Sequence, residues 1–499
     1  PQNYPVSRYP SNLHYALSFM QQVAVNLAVN NSMEKIKSVN GPPGTGKSTL
    51  LYDVIAELVT EQAFDIVKLV DKRIKGTYDT AYWENASLGC VPQSISEKNI
   101  VVVSSNHSAV KNIVDELPSI KKISEEFREE LIEADYFYEI SNSKVNIRWS
   151  EDNQGNKNRA LDKTRLDNSE IKWGIFSFEG GRKDNMESLI TVLEHIVDNL
   201  ENEYISDVDV YNEFEKKYTE ITDLRNRIQR EAVKIEKLEE TWKELVRVKS
   251  EFNTKRKEKK AENDKKISIN KAEIENLKTD LLNIEHQNAE YTKQLTEFRI
   301  EKETINQYIG ILKKPGLFSS RRVKKEYKQQ LHDYISQISS IYEEECNLKK
   351  LLNNNDHSKY ITSEEIGQYE RDNKKIENEY EEWIIKTSKV IEHLELQVDE
   401  IKKQINSTIE KRKNDFSLSY KELQLSNPWF DQDYRMMQSS LFIAAIKVRK
   451  QFLYDNVKNI KTAIHIWRKQ KKYAYNKQLI KESWNWINTA IPVIGSTFA

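Results

Sequence analysis

A heptad pattern through the middle of the chain restricts its fold more than any other feature. Ile221, Leu224, Ile228, Ile235, Leu238, Trp242, Leu245 and Phe252 keep the alternating three- and four-residue spacing of a and d positions. Ile267, Ile274, Leu277, Leu281, Ile284, Tyr291, Leu295, Phe298 and Ile305 continue it, and two further stretches run from Leu331 to Leu352 and from Ile366 to Ile405. Such a seam buries a narrow stripe and leaves the other helix faces solvated, so the segment predicts a coiled coil. Lys313, Lys314, Pro315 and Gly316 interrupt it near its midpoint. Proline and glycine together stop a helix, which predicts an antiparallel hairpin that turns there. Residues 255–266 and 353–357 are weak in apolar positions and predict bends or a shorter arm. Asn270, Asn288 and Asn373 fall in the seam, where a polar residue costs stability and can fix register.

Composition agrees with that pattern. Charged residues make up 31% of the 499, hydrophobic residues only 38%, and 13 Gly and 10 Pro punctuate the chain. The expected organisation is a head from residues 1–203, a helical stalk at 204–415 with its tip near 313–320, and a return to the head at 416–499. A net charge of −1 excludes a basic coat or an acidic tail, so any binding face must be local. Cys90 and Cys346 stand alone, without CxxC or histidine clusters. That excludes a disulfide framework or a zinc site and suits a reducing, cytoplasmic compartment. No run of about 18 apolar residues predicts a membrane span. The chain opens at Pro1 and closes at Ala499 within an apolar run, and both ends read as cuts.

One motif carries chemistry. Residues 36–39 suit a short buried strand, and the segment from Gly41 to Ser48 reads GPPGTGKS, matching G-x-x-x-x-G-K-[ST]. Leu50, Leu51, Val54, Ile55, Leu58 and Val59 then pattern an amphipathic helix. Strand, glycine loop and helix form the context of a P-loop. Gly41, Gly44 and Gly46 let the backbone curl so that N–H groups point at phosphate oxygens, with Pro43, Thr45 and Thr49 shaping the same loop. Lys47 is the candidate catalytic residue, pairing with the β- and γ-phosphates of ATP, and the Ser48 hydroxyl would hold Mg²⁺. The expected fold is α/β, a RecA-like P-loop head interrupted by an antiparallel coiled coil.

Two more segments narrow the class. Gln21 stands about twenty residues before the loop in the setting QQVAV, and residues 99–118 read NIVVVSSNHSAVKNIVDELP, a strand followed by a helix. With GPPGTGK, these resemble superfamily-1 helicases of the Upf-like (Dna/NAM-type) branch, in bacterial forms that carry a long coiled-coil insertion. The closing IPVIGSTFA is similar to the strand that precedes motif II in those members, with Gly495 where a serine is expected. The resemblance covers the two head zones. It implies that Gln21 recognises adenine and that Ser104, Ser105 and Asn106 touch the backbone of a single strand of DNA or RNA. It also implies that the magnesium-binding and water-positioning carboxylates lie further on, so that this stretch binds ATP with little or no turnover. Val114, Asp115 and Glu116 imitate a Walker B motif but fall in a helical pattern.

Two other classes share parts of this layout. An SMC-like or ABC-type coiled-coil ATPase also joins a P-loop to a long hairpin, although Pro43 replaces the asparagine usual there and no CxxC marks the tip. A nucleotide-binding scaffold without turnover would use the stalk to hold a protein partner. Most basic stretches, including residues 255–260 and 468–472, alternate with acids and read as solvated faces. Arg321, Arg322, Lys324 and Lys325, beside Phe318 at the expected tip, are the exception.

Overall fold

The computed structural model describes residues 1–30, 35–41, 44–79, 87–151, 157–166, 170–405, 419–425 and 429–497. The chain is mostly helical with a small parallel sheet and two very long helices. Its elements run α1 (Phe19–Asn30), α2 (Lys47–Lys68), β1 (Gly76–Asp79), β2 (Ser87–Gly89), α3 (Gln93–Ser96), β3 (Ile100–Ser104), α4 (His107–Glu116), α5 (Glu125–Glu133) and α6 (Tyr138–Ser141). Then come β4 (Ser143–Glu151), β5 (Lys157–Arg165), β6 (Ser177–Glu179), α7 (Lys183–Asn202), α8 (Asp209–Ile311) and α9 (Arg321–Gln404). The chain closes with α10 (Tyr420–Leu425), α11 (Gln432–Asp455), α12 (Val457–Arg468), α13 (Lys477–Ala490) and β7 (Val493–Thr497). Two compact units result: Pro1–Ile235 with Ile405–Ala499, and Glu236–Gln404.

In the first unit, α11 is buried on nearly every side, from Tyr434 to Leu453, as a helix at the centre of a core must be. It packs along α2, whose Ile55, Ala56, Val59, Ala63 and Ile66 are fully buried. The parallel sheet has the order β3-β7-β6, pairing Ile100 with Val493 and Ser177 with the same residue from the other side. Strands from opposite ends of the chain are therefore neighbours. Helix α4 lies across this sheet, and Gly495 explains how closely: a Cβ there would come within 2.5 Å of Val114 and 2.7 Å of Val110. The serine expected at that position has no room.

The strand expected at residues 36–39 does not form. Residues 36–41 carry no strand pairing, with Ile36 87% and Val39 45% exposed. A strand needs an edge to satisfy its N–H and C=O groups. This run alternates with Lys35 and Lys37, and Lys35 pairs with Glu97 in solvent instead. β3 forms where the strand was expected, with Val101 and Val103 facing outward.

The second unit is an antiparallel helical hairpin with its turn between Ile311 and Arg321. Cross-pairs hold one register along it: Lys249 with Glu395, Asn270 with Asn373, Lys359 with Glu285, and Lys302 with Glu345. Its bounds fall inside the expected 204–415, because Val210, Tyr211, Phe214 and Ile221 of α8 belong to the core of the first unit. Neither expected weak point breaks a helix. At the second, Asn355 donates to Asn288 (2.9 Å) and Asn288 to Asp356 (3.2 Å), so polar side chains satisfy one another where apolar ones run out.

Candidate functional site

The glycine loop is built by its backbone. Gly44 and Gly46 both adopt positive φ, at 78° and 74°, a region where a side chain costs roughly 1–2 kcal/mol. Gly46 is the residue just before α2, and the first intrahelical bond, from the Leu50 N–H to the Gly46 carbonyl, closes at 3.0 Å. The loop therefore delivers the chain straight into a helix N-terminus, where N–H groups and the helix dipole favour an anion. Pro43 lies outside the described residues. Ser48 and Thr49 are exposed on the first turn. The Lys47 ammonium folds back and donates to the Gly41 carbonyl at 2.6 Å.

Helix α1 puts Gln21 against this loop. Leu17 and Val25 pack with Leu50 and Val54 in a small apolar cluster, which locks α1 onto the first half of α2. Gln21 Nε2 then donates to the carbonyls of Thr45 (3.2 Å) and Gly46 (3.4 Å). Its Oε1 accepts from the Ser18 N–H at 2.9 Å, while the Gln21 N–H donates to Ser18 Oγ at 3.4 Å. This reciprocal pair is a capping box, and the signal S-x-x-Q stands in the sequence at residues 18–21. A side chain at position 46 would collide with the Gln21 amide. Gln22 instead donates to the Leu17 carbonyl at 2.8 Å, so of the two glutamines Gln21 is the one that reaches the loop.

Ser104, Ser105 and Asn106 lie elsewhere, at the carboxyl ends of the parallel strands. Asn106 caps α4: its Oδ1 accepts from the Ser108 N–H at 2.9 Å, and its own N–H donates to Ser104 Oγ at 3.1 Å. Ser105 and Asn106 are exposed, Ser104 half-buried. The imitation Walker B residues sit at the other end of α4. Asp115 faces Lys172 at 3.8 Å, and Glu116 accepts from Tyr52 at 2.7 Å and pairs with Lys122 at 3.0 Å. They are surface and packing contacts of a helix.

The same strand edge holds residues that sequence reasoning passed over. β6 ends at Glu179, whose carboxylate is 3.4 Å from His107 Nδ1, and Gly180 and Gly181 then turn the chain into α7. Gly181 has φ 88°, and a Cβ there would press on Ser496 Oγ at 2.8 Å. The Gly-Gly pair between an apolar run and a helical pattern was the available signal. A cavity of about 1010 Å³ in this unit is lined by α7, residues 145–147 and residues 467–472, and includes none of the loop residues.

Among the described residues, no group of three or more His, Cys, Asp or Glu could hold a metal ion, and no helix is long and apolar enough to cross a membrane. No family model matches this chain, and neither a curated protein nor a solved structure matches it.

Proposed function

We propose that this chain is the ATP-binding portion of an ATP-dependent nucleic-acid helicase or translocase, built on a P-loop NTPase head. The observation that carries the reading is the pair of left-handed glycines, Gly44 and Gly46, leading into α2 with Lys47 folded over the loop. A neutral carbonyl is a weak partner for an ammonium, and a phosphate oxygen would displace it through a charge-assisted bond. In this reading the exposed Ser48 hydroxyl would ligate a Mg²⁺ carried in by the phosphates. ATP supplies the phosphoryl group to be transferred. This chain's residues bind and orient it, and turnover requires a carboxylate to position water.

Ser104, Ser105 and Asn106, at the carboxyl ends of parallel strands, occupy the edge where open α/β sheets bind ligands. Small hydroxyl and amide groups there suit contacts to a sugar-phosphate backbone without sequence preference. Binding of a labelled single strand tests this. Ser105→Ala combined with Asn106→Asp keeps an α4 cap but removes donors and adds a negative charge. Strand affinity should fall at least about tenfold, the equivalent of one charged hydrogen bond, with Mg·ATP affinity unchanged. Unaltered strand binding would remove this edge from the reading.

A further inference from the structure

The hairpin turn is built unlike the rest of the hairpin. Elsewhere along it, basic and acidic residues are interspersed, and Lys302–Glu345, Lys249–Glu395 and Lys359–Glu285 pair across the two helices. Residues 304–325 instead hold six Lys and Arg and no Asp or Glu. Four of the cations, Lys313, Lys314, Arg321 and Lys325, are exposed and have no hydrogen-bond or ion-pair partner among the described residues. Arg322 pairs with Glu326 at 3.0 Å and Lys324 donates to the Leu317 carbonyl at 3.0 Å. Arg321, Arg322 and Lys324 also crowd the first turn of α9, where the helix dipole disfavours cations and which itself contains no acid. Between the two basic clusters, Leu317 and Phe318 stand 92% and 103% exposed, and Phe318 has no ring partner among the described residues.

We propose that this turn is a nucleic-acid-binding surface, in which the cations follow a phosphodiester backbone and Phe318 stacks on a base. Six cations lie among four exposed apolar side chains, Ile311, Leu317, Phe318 and Val323, so charged groups outnumber apolar ones. That balance favours a chain of phosphates over a bilayer, which draws on buried apolar surface as well as charge. Arg321 and Arg322 supply planar forks that match phosphate oxygens, and an exposed aromatic accepts any base on its face. The proposal stands on the chemistry of the turn and does not require the nucleotide loop to work.

Fluorescence anisotropy of a labelled oligothymidylate, titrated with the full chain over a series of salt concentrations, tests it. Replacing Lys313, Lys314, Arg321 and Arg322 by Gln should weaken binding at least tenfold and flatten the log–log salt slope by about 0.7 per lost contact. Phe318→Ala should cost roughly five- to tenfold with the salt slope unchanged, as expected for a lost stack. Both variants should keep wild-type Mg·ATP affinity. Wild-type strand affinity and slope in both variants would overturn the proposal. So would a wild-type chain that ignores the oligonucleotide but sediments with phosphatidylserine vesicles, which would assign the turn to a lipid surface.

Discussion

The side-chain amide of Gln21 gives its oxygen to the Ser18 N–H and its nitrogen to the carbonyls of Thr45 and Gly46. A base recognised by Gln21 must therefore replace contacts that hold the loop. Gln21→Ala should both loosen the loop and remove discrimination, lowering ATP affinity by roughly tenfold, about one hydrogen bond, and bringing the ATP-to-GTP ratio toward one. A titration with both nucleotides checks it, and an unaltered ratio would exclude Gln21 from base recognition. Two carboxylates deeper in α2 carry a pH dependence. Glu57 accepts from the Val6 and Ser7 N–H groups at 3.1 and 2.7 Å, and Asp53 from the Tyr9 N–H at 3.1 Å, strapping the N-terminal segment onto α2. Burial pushes Glu57 up to about 8 and Asp53 up to about 6. Their folded values lie above the unfolded ones, so the protonated forms favour the fold. The stability they contribute is complete below about pH 4 and is lost as pH rises through 6 and 8. Between pH 6 and 8 each titrating group changes stability by at most about 1.4 kcal/mol per pH unit. Thermal melts of the wild type should fall over that range, and those of Glu57→Gln should fall less; equal slopes would contradict the assignment. The sequence conceals this strap, because Asp53 and Glu57 are spaced four apart on a helix and read as a solvated stripe until the segment that covers them is placed. The glycine loop was legible, since Gly44 and Gly46 encode their conformation in their own chemistry.

Among the elements, the heptad segments were the most legible, because one period repeats over many turns and each repeat supports the next. The asparagines of the seam show what the pattern specified. Asn270 donates to Asn373 at 2.8 Å, so the two polar residues meet in a single register. Asn270→Leu alone leaves Asn373 half-satisfied and should lower the melting stability by roughly 1–3 kcal/mol. Adding Asn373→Leu should restore it or exceed the wild type, at the expense of register specificity. Circular-dichroism melts distinguish these outcomes, and two single variants as stable as the wild type would show that the pair is not formed. Short elements were harder to read. Residues 36–39 (IKSV) and 100–104 (IVVVS) both offer apolar residues to a strand, yet of the two only the second is one, with β7 beside it. That neighbour comes from the other end of the chain, and no local signal announces it.

At the scale of the whole molecule, the first unit is assembled from both ends of the chain, with β7 between β3 and β6, and the hairpin unit occupies the sequence between them. Composition exposed that division, since charged heptads and mixed apolar runs differ in any window. Composition did not reveal how the candidate residues group. Gln21, Gly41, Thr45, Gly46 and Lys47 share one cluster, while Ser104, Ser105 and Asn106 belong to the sheet edge with Glu179 and His107. The proposed function requires the first cluster to be a nucleotide site. Calorimetric titration of the full chain with Mg·ATP, beside Lys47→Ala, tests that most directly. Saturable binding that Lys47→Ala abolishes, with the helical spectrum of the chain unchanged, is the result the account predicts. A wild-type chain that does not bind Mg·ATP, or a Lys47→Ala variant that binds it equally well, would contradict it.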